Sequence, residues 1–146
     1  MTLDYSLIWQ NLPLYLNGII LTLKLLLISL ALGLLLAVPM ALMRVSRSCL
    51  LRYPAWLYTY VIRGTPMLVQ LFLIYYGLAQ FEAVRQSVLW PYLSSATFCT
   101  CLAFALNTSA YSAELLAGSL KSTPRGEIEA ARAMGMSRLT LYRRIL

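Results

Sequence analysis

The order of apolar and polar positions divides this chain into three long hydrophobic runs and a different kind of ending. From residue 17 to residue 43 the sequence is almost continuous hydrophobe, enough at 1.5 Å per residue to cross a hydrocarbon core of about 30 Å as a helix. Ser29, Gly33, Ala37 and Ala41 recur every fourth residue within it, which predicts a strip of small side chains where a neighbouring helix can approach. A second run covers residues 55–78, with Pro54 suited to its first turn, and is interrupted by Arg63-Gly64-Thr65-Pro66. A third covers residues 95–120. Ser95, Cys99, Ala103, Asn107 and Tyr111 fall four apart there, and Ala110, Glu114 and Gly118 form a second stripe beside them. Residues 121–146 are charged and short-sided and read as two short helices.

Within that ending, Thr123 is expected to cap a helix that has Pro124 at its first position, where the missing N–H costs nothing. Residues 127–134 are rich in good helix formers, Gly135 is a natural left-handed stop, and Ser137 can cap a second helix running into Leu139, Leu141 and Tyr142. Ala130 and Ala131 leave the first helix thin enough for another protein's surface to approach. Between the runs lie a basic turn with Arg44, Arg47 and Arg52, and a mixed interfacial stretch over residues 80–94 with room for a short surface helix. Trp9 and Tyr15 suit a membrane–water boundary near the start, beside the lone charge of Asp4.

Composition agrees with the pattern. The chain has 146 residues, of which 60% are hydrophobic and 12% charged. Soluble domains carry about 25% charged residues, so half that value beside long apolar runs predicts an all-α integral membrane protein. The net charge is +7, which in a soluble protein would suggest nucleic acid. Here the position of the charges decides. Arg44, Arg47, Arg52, Lys121, Arg125, Arg132, Arg138, Arg143 and Arg144 fall on one side of the three expected spans, and Arg85 on the other. By the positive-inside rule the amino terminus is external and the charged ending cytoplasmic.

Candidate chemistry is sparse. There is no histidine, and Cys49, Cys99 and Cys101 form no Cys-x-x-Cys, so neither a metal site nor a cofactor is expected. No glycine-rich phosphate loop occurs, and Glu127 and Glu129 sit on an arginine-rich helix without an acid–base setting, so the chain is not read as an enzyme. Lys24 lies near the outer end of its run and can snorkel to water. Arg63 is expensive inside a span unless it snorkels, pairs or faces water. Pro66 opens the helix beside it, so the segment reads either as a structural kink or as a broken segment lining a cavity. Asn107 suits helix–helix hydrogen bonding and path lining equally. Glu114 is expected to be structural and to pair with Lys121.

Three stretches carry a family resemblance. Glu129-Ala130-Ala131, followed by Gly135 and then Ile145, resembles the cytoplasmic EAA loop of ABC importer permeases. Ile62-Arg-Gly-Thr-Pro-Met-Leu-Val-Gln-Leu-Phe72, with Tyr75-Tyr76-Gly77, is similar to the second span of permeases for polar amino acids. Ala110-Tyr111-x-Ala113-Glu114 is similar to their approach to the loop. The likeness is to the M-type permeases of histidine, lysine, arginine and ornithine systems, and to opine permeases. It implies the type-1 permease fold in a bacterial inner membrane, with a cytoplasmic coupling-helix hairpin over residues 121–146. The expected partners are a pair of ATPase subunits, a second permease subunit, a periplasmic substrate-binding protein and membrane lipid. Glu129, Ala130, Ala131, Gly135 and Ile145 would dock the ATPase, and Arg63, Thr65, Asn107, Tyr111 and Glu114 would line the path. The family has five spans, so a chain ending at Leu146 is expected to lack the last two.

Two other readings compete. One is a non-transporting membrane scaffold or fragment. The other is an ion-coupled carrier with Arg63, Asn107 and Glu114 in its pathway.

Overall fold

The computed structural model describes residues 11–137, 140 and 141. The stretch around Asp4 and Trp9, together with Leu139, Tyr142 and Ile145, lies outside the described residues. Helix α1, Leu12–Val45, forms from the first apolar run and continues unbroken through Pro39. It is followed by α2, Cys49–Gly64, and α3, Met67–Phe72, which runs on through a π turn at Leu73–Gly77 and a 3-10 turn at Leu78–Gln80. Two short helices, α4 at Glu82–Arg85 and α5 at Trp90–Leu93, occupy the mixed stretch. Helix α6 spans Ala96–Ser122 and α7 spans Arg125–Ala133.

Small side chains are inside and large apolar ones outside. On α1 the buried positions are Ser29, Gly33, Ala37, Ala41 and Arg44, while Leu14, Leu27 and Leu35 are each more than 60% exposed. Among the described residues the largest fully buried side chains are Thr59, Cys99 and Ser109. A water-soluble domain would hide its leucines and display its polar groups. The opposite arrangement is the one lipid permits, because helices then associate through close backbone approach and not by expelling water from large side chains.

That approach is tight between α1 and α6. A Cβ added at Gly33 would come within 2.7 Å of Thr108 Cβ and 3.0 Å of the Ala105 carbonyl oxygen. Any side chain there would force the two helices apart. Further along, Ala37 and Ala41 pack with Ala113 and Ala117, flanked by Met40 and Val45. Contact partners rise in number together on both helices, so α1 and α6 lie side by side and parallel. The intervening chain must therefore return across the layer.

It returns in two pieces. Pro66 has no N–H to give the Ile62 carbonyl, and the helix ends at Gly64. The axis of Met67–Gln80 is bent by 107° from that of Cys49–Gly64. Of the two readings open for residues 55–78, a kink or a broken segment, the second describes the bend, because the missing donor is resolved here by a full change of direction. Pro54 lies inside α2, several residues after its start, and not in its first turn. Among the described residues, α1 is the one helix long and apolar enough by itself to cross a membrane, and α2 with α3 and its continuation passes jointly as a bent pair.

Candidate functional site

Polar groups gather where the broken helix meets α1 and α6. Arg44, in the last turn of α1, reaches Glu114 on α6 with the Nε–Nη2 edge of its guanidinium. Nε donates to Oε2 at 3.0 Å, and Nη2 donates to Oε1 at 2.6 Å and Oε2 at 2.8 Å. This is a bidentate, charge-assisted pair, the strong form of such contacts. Arg63, at the end of α2, stands on the other side of the same carboxylate, 3.9 Å from Oε2, with its guanidinium 5.4 Å from the centre of the Tyr111 ring. Glu114 therefore draws the ends of α1 and α2 to the side of α6. The expected pairing with Lys121 is corrected. Lys121 is seven residues along the same helix, about 10 Å up the axis, whereas the parallel packing of α1 brings Arg44 alongside.

A second group repairs the break. Gln70, 6% exposed, is the second polar residue that unites expected path residues. Its amide nitrogen donates to the Ile62 carbonyl at 2.6 Å, the Thr65 carbonyl at 3.0 Å and Thr65 Oγ1 at 2.8 Å. The Thr65 hydroxyl in turn donates to the Val61 carbonyl at 2.9 Å. The carbonyl that Pro66 leaves without a backbone partner is thus satisfied by a side chain from the next helix. On its other side, Gln70 Oε1 accepts from Asn107 Nδ2 at 3.4 Å. Asn107 therefore bonds across helices, one of the two roles open to it. A third link joins α2 to α6, where the Tyr58 hydroxyl donates to the Leu106 carbonyl at 2.9 Å and meets the Ser109 hydroxyl.

The five expected path residues thus form two adjoining groups, Arg63 with Tyr111 and Glu114, and Thr65 with Asn107 through Gln70. Arg44 and Gln70 were not among them. Arg44 was read as a topology signal and Gln70 as one letter of a motif. A polar residue four positions after a mid-span proline was the available sign for Gln70.

The hairpin has a defined turn. Gly135 has φ of +73°, its N–H donates to the Arg132 carbonyl at 2.9 Å, and Met136 N–H donates to the Ala131 carbonyl at 3.1 Å. Those two bonds are the Schellman ending, which needs a left-handed residue at that point. Ser137 Oγ accepts from Thr140 N–H at 3.2 Å, starting the second helical turn. The expected start of α7 is corrected. Pro124 is the extended residue before the helix, not its first turn, and the Thr123 hydroxyl donates back to the Ser119 carbonyl at 3.3 Å and caps nothing. Glu129 and Ala130 are exposed, but Ala131 is fully buried, as is most of Leu141. Of the two small residues, Ala130 lies on the open side of α7 and Ala131 on its covered side. No group of histidine, cysteine or carboxylate residues able to hold a metal occurs among the described residues.

Replacing Gln70 by leucine is expected to lower stability by about 2 kcal/mol, since each buried carbonyl left without a donor costs about 1–3 kcal/mol. Gln70→Glu should be worse, because a carboxylate would face the same carbonyl oxygens. Thermal unfolding in detergent, with the exposed Gln80→Leu as a neutral control, checks this. Equal melting of all three variants would show that the break needs no repair.

Comparison with known proteins places this architecture. Residues 29–146 match the family described as the binding-protein-dependent transport system inner membrane component. The octopine transport system permease protein OccM of Rhizobium meliloti is 52% identical over 146 residues, covering 100% of this chain and 60% of that protein. The histidine/lysine/arginine/ornithine transport system permease protein HisM of Salmonella typhimurium is 45% identical over 142 residues, covering 97% of this chain and 60% of HisM. A crystal structure of an amino acid ABC transporter with histidines superposes with a TM-score of 0.82 at 36% identity, over 100% of this chain and 64% of that one. The chain thus spans about 60% of the length of the curated relatives it matches. With the match covering most of its length and the fold agreeing, the chain belongs to the family of binding-protein-dependent transport system inner membrane components.

Proposed function

We propose that the chain acts as the permease part of an ATP-driven importer for amino acids or opines, with basic amino acids as the favoured class. Its relatives are named as transport permeases for octopine and for histidine, lysine, arginine and ornithine. The partners are an ATPase pair, a second permease subunit and a periplasmic binding protein. The three helical passages, 17–43, 55–78 and 95–120, cross the inner membrane with the amino terminus outside and the hairpin in the cytoplasm. The inside-out distribution of side chains and the nine basic residues on one side support this topology.

The observation that carries the proposal is the position of Glu114. It sits on α6, within three turns of the hairpin, and is bonded to α1 through Arg44 and approached by α2 through Arg63. Glu129, Ala130, Ala131 and Gly135, with Ile145 beyond them, give the ATPase its hold. Closure of the ATPase pair moves α7, α6 follows, and the Glu114 junction transmits the displacement to α1 and to the broken helix. Arg63, Thr65, Asn107 and Tyr111 then change their exposure to either side. The energy comes from the partner, and the chain supplies an element with two arrangements for the partner to bias.

Purification of the assembly from its native host tests this reading. An ATPase, a second permease and import of labelled arginine or octopine by the reconstituted assembly are the expected results. Recovery without an ATPase, together with substrate movement driven by an ion gradient, would replace the proposal with an ion-coupled carrier. The orientation has its own check, because Cys49 is exposed and lies in the basic turn. A membrane-impermeant maleimide should leave Cys49 unlabelled in intact spheroplasts and label it once they are lysed, whereas a cysteine placed at Val88, 90% exposed, should react in both. Reversed labelling would put the hairpin out of reach of any cytoplasmic ATPase.

A further inference from the structure

The first half of α2 carries two adjoining hollows of different chemistry. One, of about 160 Å³, is lined by Arg44, Arg52, Tyr53 and Trp56. The other, of about 350 Å³, is lined by Tyr53, Pro54, Trp56 and Leu57, with no charged residue. Tyr53 and Trp56 form the shared wall. Arg44 is committed to Glu114, but Arg52 is exposed and, among the described residues, its guanidinium meets the Tyr53 ring alone, 5.7 Å from the centre. Among the described residues no carboxylate approaches Arg52 or the neighbouring Arg47. The basic turn therefore keeps one uncompensated positive charge, Arg52, beside an apolar recess, with exposed Arg47 five residues before it.

We propose that these hollows bind one anionic phospholipid, its phosphate on Arg52 and the upper part of an acyl chain against Pro54 and Leu57. The assignment rests on charge complementarity and on the membrane reading of the chain. It goes beyond the transport proposal. A basic pocket at the cytoplasmic membrane surface attracts acidic headgroups. Trp56 and Tyr53 have the amphipathic rings that settle at headgroup depth. Trp56 is further held by stacking on Tyr60, with ring centres 5.2 Å apart and planes 18° apart. A free anion would use the arginine alone and leave the apolar hollow bare. A zwitterionic lipid would fill the hollow but bring its own cation to the arginine. An acidic lipid matches both halves.

The lipid would occupy the joint between the basic turn and α2, against the outer side of Arg44, whose hydrogen bonds go to Glu114. Native mass spectrometry of the full chain in neutral detergent, with phosphatidylglycerol or phosphatidylcholine added, tests the proposal. Phosphatidylglycerol should be retained at least fivefold better than phosphatidylcholine. Arg52→Gln should abolish that preference, Arg52→Lys should keep most of it, and Trp56→Ala should weaken both lipids alike. Arg85→Gln, an exposed arginine in the stretch between α3 and α6, should change nothing. Equal retention of both lipids, or unchanged preference in Arg52→Gln, overturns the assignment. Displacement by millimolar inorganic phosphate identifies a free-anion site instead, and displacement by added ATPase subunit identifies a protein surface; either result also overturns it. None of these outcomes touches import by the assembled transporter, so failure here and failure of the transport proposal are distinguishable.

Discussion

Glu114→Gln is expected to be the most damaging single substitution for stability in the described part of the chain. Glutamine has nearly the same shape, so packing is kept and the charge alone is lost. Arg44, almost wholly buried, would then hold a positive charge with no counter-charge, and Arg63 would stand nearby with the same sign. Removing one member of a buried pair costs about 3–5 kcal/mol, most of it the penalty of the charge left behind. Arg44→Met should cost less. Glu114 would keep Arg63, whose guanidinium is 3.9 Å away on a half-exposed side chain free to close the gap. The order Glu114→Gln worse than Arg44→Met is therefore specific to a carboxylate shared between two arginines. Melting in detergent of the two single variants and the double variant measures the order and the coupling. A Glu114→Gln protein that melts with the wild type would mean that the junction holds nothing together, and one that melts above Arg44→Met would mean that Arg63 does not take over the carboxylate.

What could be read from the sequence depended on whether a feature is local. The Ser29, Gly33, Ala37 and Ala41 strip was legible because lipid-embedded helices bury their small side chains, and those four positions are buried. The break at Pro66 was legible because the missing N–H is a covalent fact. Gly135 was legible for a similar reason, since few other residues accept a left-handed backbone.

The face of α6 was read less well. Of the row Ser95, Cys99, Ala103, Asn107 and Tyr111, Cys99 and Ala103 are buried, but Tyr111 is exposed. A four-residue step turns 400° on a 3.6-residue helix, about 40° beyond a full turn, so a row of four steps turns about 160° and carries Tyr111 off the buried face, whereas the three-step strip on α1 stays within it. The buried positions Ala103, Ala110, Ala113 and Ala117 follow mixed steps of three, four and seven that cancel the drift. Partner choice was not legible at all. Arg44 is seventy positions from Glu114 in sequence and reaches it only because α1 and α6 run parallel. Lys121 was near in sequence and on the correct helix, yet too far along its axis. Gln70 needs the same tertiary knowledge, since its value comes from a 107° bend that folds α3 back toward the end of α2.

In the assembled transporter, Glu129→Lys and Gly135→Val are expected to separate ATP hydrolysis from import, each by a different physical route. Glu129 is exposed on α7 and makes no bond that stabilises the hairpin among the described residues, so reversing its charge should leave the fold intact. If the ATPase grips this face, the reversal removes the grip and import should fall at least tenfold, equivalent to about 1.4 kcal/mol of lost coupling. Gly135→Val acts from within. A β-branched residue at φ near +73° costs about 1–2 kcal/mol and crowds the turn that carries the Gly135–Arg132 and Met136–Ala131 bonds. The hairpin should fray, and α7 would no longer move as one piece with α6. Gly135→Ala, which keeps the strain but loses the branching, should fall between. Proteoliposomes holding the permease pair and the ATPase, supplied with binding protein and labelled substrate, report both quantities at once. The expected signature is continued ATP hydrolysis with import lost in Glu129→Lys, while a circular-dichroism melt matches the wild type. In Gly135→Val, hydrolysis should continue with import lost and a lowered melt. Normal import in both variants, with hydrolysis still stimulated by loaded binding protein, would remove the hairpin from the coupling path and leave the Glu114 junction without a driver.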